Sequence, residues 1–242
     1  MKQYLKLVFC LLSILTGVAY AEQFPAVIEA ESKAIVAAER EGVLMELHVD
    51  VGNRVKKGDP LATVYHKDML IKKQQFEATR KFLTRMVENL TKLNEKGMAT
   101  DDEKAKAEMD LAVNGKEIEI LQQMIDRSQV RAPFSGVIVN RLIQAHEWIR
   151  SGQPVSEMYD PDKLRIVADI PSEIAVGLKS GRTDTFYFPD VKQDVKARFK
   201  LSFPQVDVRS NTVKIYWVVD PAERKKARLV PGMKGVLKLG SD

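Results

Sequence analysis

The chain has 242 residues, of which 45% are apolar and 29% charged, with a formal net charge of +5 and a single cysteine. This is a globular composition, long enough for two or three small cores. The charge is too mild and too dispersed to point to a nucleic-acid partner, and one cysteine excludes an intrachain disulfide.

Residues 1–21 read as an export leader. Lys2 and Lys6 form a positive n-region, Leu7 to Gly17 an apolar h-region, and Ala19-Tyr20-Ala21 a small-x-small cleavage site. The apolar run is too short to span a bilayer comfortably, so the expected product starts at Glu22 and is exported and soluble. Cys10 lies inside the leader and goes with it. Loss of Lys2 and Lys6 lowers the formal charge from +5 to +3.

The next stretch contains one half of a repeat. Gly42 to Leu61 and Gly136 to Val155 align without a gap at a constant offset of 94 positions (136 minus 42). Gly42/Gly136, Val43/Val137, Gly58/Gly152 and Pro60/Pro154 are identical, and Leu44/Ile138, Val55/Ile149 and Leu61/Val155 keep their chemistry. Each copy reads as a strand opened by glycine, a polar turn, a short strand and a Gly-x-Pro turn into another strand. One copy has too little apolar surface to fold alone. Two copies clasped face to face share one core.

Between the copies lie about sixty residues of helical composition. Phe76, Thr79, Leu83, Met86, Leu90 and Leu93 follow steps of three and four, as do Ala107, Leu111, Asn114, Ile118, Leu121 and Ile125, so each segment carries an apolar seam. Lys96-Gly97-Met98-Ala99 interrupts the pattern, and Thr100-Asp-Asp-Glu103 has the form of a capping box. The expectation is a projecting hairpin of two helices, each roughly 40 Å long, with its turn at Gly97. Seams this narrow cover only each other. Pro133 then ends the helical run and Gly136 opens the second copy.

In the last third, Val195, Ala197, Phe199, Leu201 and Phe203 alternate with polar residues, as do Val213, Ile215, Trp217 and Val219. These are two half-buried strands. A short helix fits between Pro171 and Gly181, and a small β-barrel accommodates the whole. No catalytic, cofactor or metal residue is assigned. His48, His66 and His146 lack zinc spacing, and no nucleophile elbow, phosphate loop or dinucleotide glycine pattern is present. The methionines are scattered and suit the filling of seams and cores.

The duplicated pattern resembles the half-motifs of the biotinyl/lipoyl, or barrel-sandwich hybrid, fold, although no lysine sits in a tight hairpin joining the halves. With "GVLMELHVDVGNRVKKGDPLA", "VRAPFSGVI" after a helical hairpin, and "VPGMKGVLKL" near the end, the chain resembles a HlyD-type periplasmic adaptor, or membrane fusion protein, of bacterial tripartite efflux and secretion systems. The resemblance implies a mainly β chain. It comprises a leader (1–21), a hybrid domain (22–65 and 128–160) interrupted by an α-helical coiled-coil hairpin (66–127), and a β-barrel domain (161–242), without a full membrane-proximal domain.

The resemblance further implies a non-catalytic periplasmic protein. It would form a trimer or hexamer and link an inner-membrane transporter, of resistance-nodulation-division or ATP-driven type, to a TolC-type outer-membrane channel. It implies no cofactor. Adaptors that dock on TolC-type channels share an arginine, a leucine four positions on and a serine seven further, flanking the hairpin turn. Here that frame falls on Asn89, Leu93 and Thr100 around Gly97; read on their own, Leu93 is a seam residue and Thr100 an N-cap. Two other functions stay open: a biotin or lipoate carrier domain, and a periplasmic solute- or metal-binding protein. Gly42, Gly58, Pro60, Pro133, Gly136, Gly152 and Pro154 are expected to shape the half-motif turns.

Overall fold

A computed structural model describes residues 23–179 and 181–238; the expected leader lies outside the described residues. The chain forms two units, one running up to Glu31 and resuming at Asp162, the other spanning Ser32–Pro161. The first strand, β1 (Gln23–Ala30), belongs to the former. This corrects the expectation that everything from residue 22 to 65 joins the hybrid domain. An alternating strand fits any half-buried sheet edge, and only its long-range partners decide where it goes.

The Ser32–Pro161 unit begins with β2 (Lys33–Ala37), β3 (Gly42–Leu47), β4 (Arg54–Val55) and β5 (Pro60–Val64). The helices α1 (Lys67–Glu95) and α2 (Asp101–Asp126) follow, and then β6 (Gln129–Arg131), β7 (Gly136–Arg141), β8 (Trp148–Ile149) and β9 (Pro154–Tyr159). Two four-stranded sheets result, β2-β9-β7-β4 and β6-β5-β3-β8. Exchanging β2–β5 for β6–β9 converts one sheet order into the other, so the halves are related by an internal twofold. Each half lends its short middle strand, β4 or β8, to the other's sheet.

The hydrogen bonds obey the same symmetry. Gly58 and Ala38 amides donate to Ala132 and Gln153, while those of Gly152 and Ala132 donate to Ala38 and Asp59. The core is paired likewise: Leu44/Ile138, Val49/Ile143, Val55/Ile149, Leu61/Val155 and Val64/Met158 are all buried. Neither half has an inner face to cover except the other's, and this is why a single copy lacks a core. The repeat also reaches further than its sequence alignment, since β2 and β6 are equivalent and Ala38/Ala132 are both buried.

The other unit continues with β10 (Leu164–Pro171), α3 (Ser172–Ala175), β11 (Thr183–Phe188), β12 (Gln193–Asp207), β13 (Thr212–Val219), α4 (Pro221–Ala227) and β14 (Lys234–Lys238). These strands and β1 close a barrel in the order β1-β10-β13-β12-β11-β14. The Pro231-Gly232-Met233 segment leads into β14 and locks it to β1: Gly232 donates to Ile28 at 2.8 Å and Ile28 donates to Met233 at 3.0 Å. Inside the barrel, Trp217 meets Phe186 and Phe199 edge-on at 5.1 and 5.9 Å. Its indole N–H donates to buried Asp184 at 2.7 Å, as a buried indole requires.

The alternation of β12 buries Val195, Ala197 and Phe199 but leaves Leu201 and Phe203 exposed, contrary to the sequence expectation. The register of β12 against β13 shifts between Phe199 and Leu201 and again between Ser202 and Val206. A bulge adds a residue on one strand and re-aims the side chains beyond it. The short helix α3 takes Pro171 as its N-cap instead of as its first residue.

Candidate functional site

The hairpin starts from the hybrid core and is held along its length by one seam. On α2 the seam is the expected one: Ala107, Asn114, Ile118, Leu121 and Ile125 are buried, with Leu111 half-buried. On α1 no residue is fully buried. Phe76, Leu83 and Leu90 are half-buried as expected, but Thr79, Met86 and Leu93 are exposed, while Val87 and Asn94 face inward. Beyond Leu83, three-four spacing allows both 86, 90, 93 and 87, 90, 94. Packing against α2 selects the second and rotates Leu93 out of the seam. Lys73 Nζ donates to Gln122 Oε1 at 2.7 Å across the helices.

The tip is a pair of interlocked caps. Gly97 has φ +70; the amide of Gly97 donates to Asn94 at 2.8 Å and that of Met98 to Leu93 at 2.8 Å, a Schellman ending that uses a left-handed glycine. Three residues later α2 opens with a reciprocal capping box: Glu103 N–H donates to Thr100 Oγ1 at 3.2 Å and Thr100 N–H donates to Glu103 Oε2 at 2.8 Å. These bonds from the Thr100 backbone and hydroxyl hold the Glu103 carboxyl below its usual range.

Asn94 joins the two caps. Its Nδ2 donates to Ala99 O at 3.1 Å and to Asp101 Oδ1 at 2.9 Å, a role that the helix pattern alone did not reveal. An asparagine within three residues of a helix-ending glycine was the available signal. The result is a fixed turn with apolar side chains on its outside: Leu93 is 40% and Met98 73% exposed. Asn89 and Thr100 are exposed beside them. The arrangement presents a small apolar knob bordered by hydrogen-bonding groups.

The half-motif residues lie in the hybrid unit, away from the hairpin turn. Gly58 and Gly152 take left-handed backbone at equivalent turns, with φ +89 and +80. Pro60 and Pro154 open β5 and β9, and Pro133 is exposed between β6 and β7. Gly42 and Gly136 are required by close approach. A Cβ on Gly42 would stand 2.9 Å from Val64 Cγ1, and one on Gly136 only 2.3 Å from the Tyr159 carbonyl oxygen. The crowding at Gly136 therefore comes from β9 of its own half, while its backbone pairs with Val55 of the first copy, and its φ is not positive.

The three histidines are dispersed: His48 Nε2 pairs with Thr63 Oγ1 at 2.7 Å, His66 Nδ1 with the Val64 carbonyl at 2.9 Å, and His146 sits in a turn before β8. Among the described residues no group of three or more His, Cys, Asp or Glu side chains is placed to hold a metal. Nor is any helix there long and apolar enough to cross a membrane.

This architecture has counterparts. Residues 32–160 match the family model of the CzcB-like barrel-sandwich hybrid domain. A MacA-MexA chimeric protein containing the Pseudomonas aeruginosa MexA α-hairpin domain superposes with a TM-score of 0.76 at 20% identity, covering 90% of this chain and 79% of that one. The membrane fusion protein Spr0693 from Streptococcus pneumoniae R6 gives 0.73 at 14% identity over 91% and 99% of the two chains. ZneB from Cupriavidus metallidurans gives 0.58 at 18% identity over 89% and 96%. No curated protein matches the chain in sequence. Identities this low speak to fold alone, whereas the hybrid-domain match covers more than half of the sequence. The chain thus belongs to the family with a CzcB-like barrel-sandwich hybrid domain, and its hairpin-interrupted hybrid domain and barrel share their fold with the membrane fusion protein Spr0693 and the MacA-MexA chimera.

Proposed function

We propose that the protein is a non-catalytic periplasmic adaptor. It is exported by its leader and assembles as a trimer or hexamer, joining an inner-membrane transporter of resistance-nodulation-division or ATP-driven type to a TolC-type outer-membrane channel for efflux or secretion. Leu93 carries the reading: an apolar side chain turned out of the seam, 40% exposed on a turn fixed by a Schellman ending and a capping box. A rigid, apolar, uncharged knob suits capture between helices of a partner, because little conformational freedom is lost on docking. Asn89, where channel-docking relatives carry arginine, supplies an amide in place of a guanidinium and weakens the contact without displacing it.

The hybrid domain supports a scaffold in place of a carrier. Its halves are separated by the hairpin, and no lysine occupies a tight turn that joins one half-motif to the other. The test is site-specific photo-crosslinking from position 93 in living cells, followed by identification of the trapped protein. Recovery of an outer-membrane channel is the expected result. Crosslinks confined to copies of the chain or to a soluble protein would overturn the channel-docking role.

A further inference from the structure

The two halves of the hybrid unit part company on their outer surfaces. In one sheet Tyr159, Val137 and Arg54 are successive partners across β9, β7 and β4. Their chain neighbours Met158, Ile138 and Val55 are buried in the core, so this row faces away from it. In the other sheet Val43 pairs with Trp148, and the amide of Tyr65 donates to the Val43 carbonyl at 2.8 Å. Leu44, Ile149 and Val64 beside them are buried. This row also faces outward, with Trp148 64% and Tyr65 44% exposed.

The rows correspond residue for residue at the offset of the repeat: Tyr65 with Tyr159, Val43 with Val137, Trp148 with Arg54. Tyrosine and valine are kept. The departure falls on the edge strands β4 and β8, where Asn53-Arg54 in one half stands in the place of Glu147-Trp148 in the other, and all four residues are exposed. Among the described residues no cation lies over the Trp148 ring, and neither Arg54 nor Glu147 has an ion-pair partner. The two faces of one sandwich thus offer complementary groups that nothing in the chain uses.

We propose that copies of this chain associate head to tail through these faces, with Arg54 of one copy lying on the Trp148 ring of the next, beside its Glu147. Tryptophan, tyrosine and arginine are the residues that dominate interface energetics, and a guanidinium over an indole adds a cation–π attraction. Either face set against itself would bring Arg54 to Arg54 or Glu147 to Glu147, which opposes a symmetric pair. Because the two faces lie on opposite sides of the sandwich, each copy engages two neighbours, and the chain of contacts ends only when it closes as a ring. The internal twofold supplies two versions of one surface, and divergence at the edge makes them complementary. The inference rests on the reading that the protein assembles as a closed oligomer and is independent of channel docking.

The test is analytical ultracentrifugation of protein purified from cells expressing the full chain. Wild-type protein should self-associate, and Trp148→Ala and Arg54→Glu should each weaken association by roughly thirtyfold. Both side chains are exposed, so melting temperature should not change. Mixing the two variants decides the geometry. Trp148→Ala keeps a working Arg54 face and Arg54→Glu a working Trp148 face, so an equimolar mixture should form dimers of one chain of each kind and grow no further. Undiminished oligomers in both variants would overturn this interface while leaving the closed-oligomer reading in place. Failure of the mixture to form the mixed dimer would overturn the head-to-tail contact, and a wild-type protein that stays monomeric at every concentration would overturn both.

Discussion

Gly52 and His146 occupy the same point of the two hybrid halves, each with left-handed backbone at φ +87 and +72. Their amides make equivalent bonds, Gly52 to Ile138 at 2.9 Å and His146 to Leu44 at 2.6 Å. One half meets the demand with glycine and the other with a side chain that must bear the strain. A left-handed non-glycine residue costs about 1–2 kcal/mol, and the extra chain entropy of glycine returns about 0.4–1 kcal/mol of that. His146→Gly should therefore raise stability by roughly 0.5–1 kcal/mol in chemical denaturation, and Gly52→His should lower it by a similar amount. A destabilised His146→Gly variant would mean that the imidazole makes a compensating contact.

Ser156 and Ala62 are a second equivalent pair, both fully buried. Ala62 leaves nothing to satisfy, whereas the Ser156 hydroxyl has no hydrogen-bond partner. Burying an orphan hydroxyl costs about 1–3 kcal/mol. Ser156→Ala, which copies the other half, should raise the denaturation midpoint by about 1 kcal/mol equivalent.

Gly136→Ala should be among the most damaging small substitutions in the chain. The added methyl would collide with a backbone carbonyl that is fixed in the β7–β9 ladder, and backbone cannot rotate away as a side chain can. A loss of about 3 kcal/mol or more is expected, with the helical circular dichroism of the hairpin retained below the transition. Gly136→Val should be worse.

At the tip, Leu93→Ala should cost well under the roughly 2–4 kcal/mol expected for Ile118→Ala, because Leu93 is exposed and Ile118 is buried in the seam. Export and channel capture should nevertheless be lost with Leu93→Ala and kept, in cells where the protein remains folded, with Ile118→Val. Thr100→Ser preserves the capping hydroxyl, whereas Thr100→Ala removes it at about 1 kcal/mol. Asn89→Arg should tighten capture of a TolC-type channel in pull-down assays. Untouched export by both Leu93→Ala and Asn89→Arg would remove the tip from the mechanism.

Acid should loosen the start of α2. Glu103 has a lowered folded pKa because Thr100 hydrogen-bonds its ionised form, so its contribution is complete above the unfolded value of 4.5 and is lost as pH falls through the lower folded value. Hydrogen exchange at Glu103 and its neighbours should accelerate across that window. Glu103→Gln, which can still accept from the Thr100 amide, should remove this local pH dependence.

Local sequence decided much of this protein. The offset repeat, the turn glycines, the α2 seam and the capping box were legible because each depends on short-range chemistry: backbone conformation, the three-four spacing of apolar side chains, or a cap three residues from its partner. Even the pairing of Leu44 with Ile138 and of Leu61 with Val155 was implicit in the gapless alignment. What tertiary structure alone decided is where equivalent local options diverge. β1 reads as an ordinary half-buried strand and became a barrel stave because β10 and β14 were the edges available to it. The α1 seam had two solutions sharing Phe76, Leu83 and Leu90, and packing on α2 chose the one that turns Leu93 outward. The alternation of β12 promised burial for Leu201 and Phe203, but a bulge, which depends on the facing strand, reversed it. In each case the sequence is degenerate between arrangements of similar local energy, and burial against a distant partner breaks the tie.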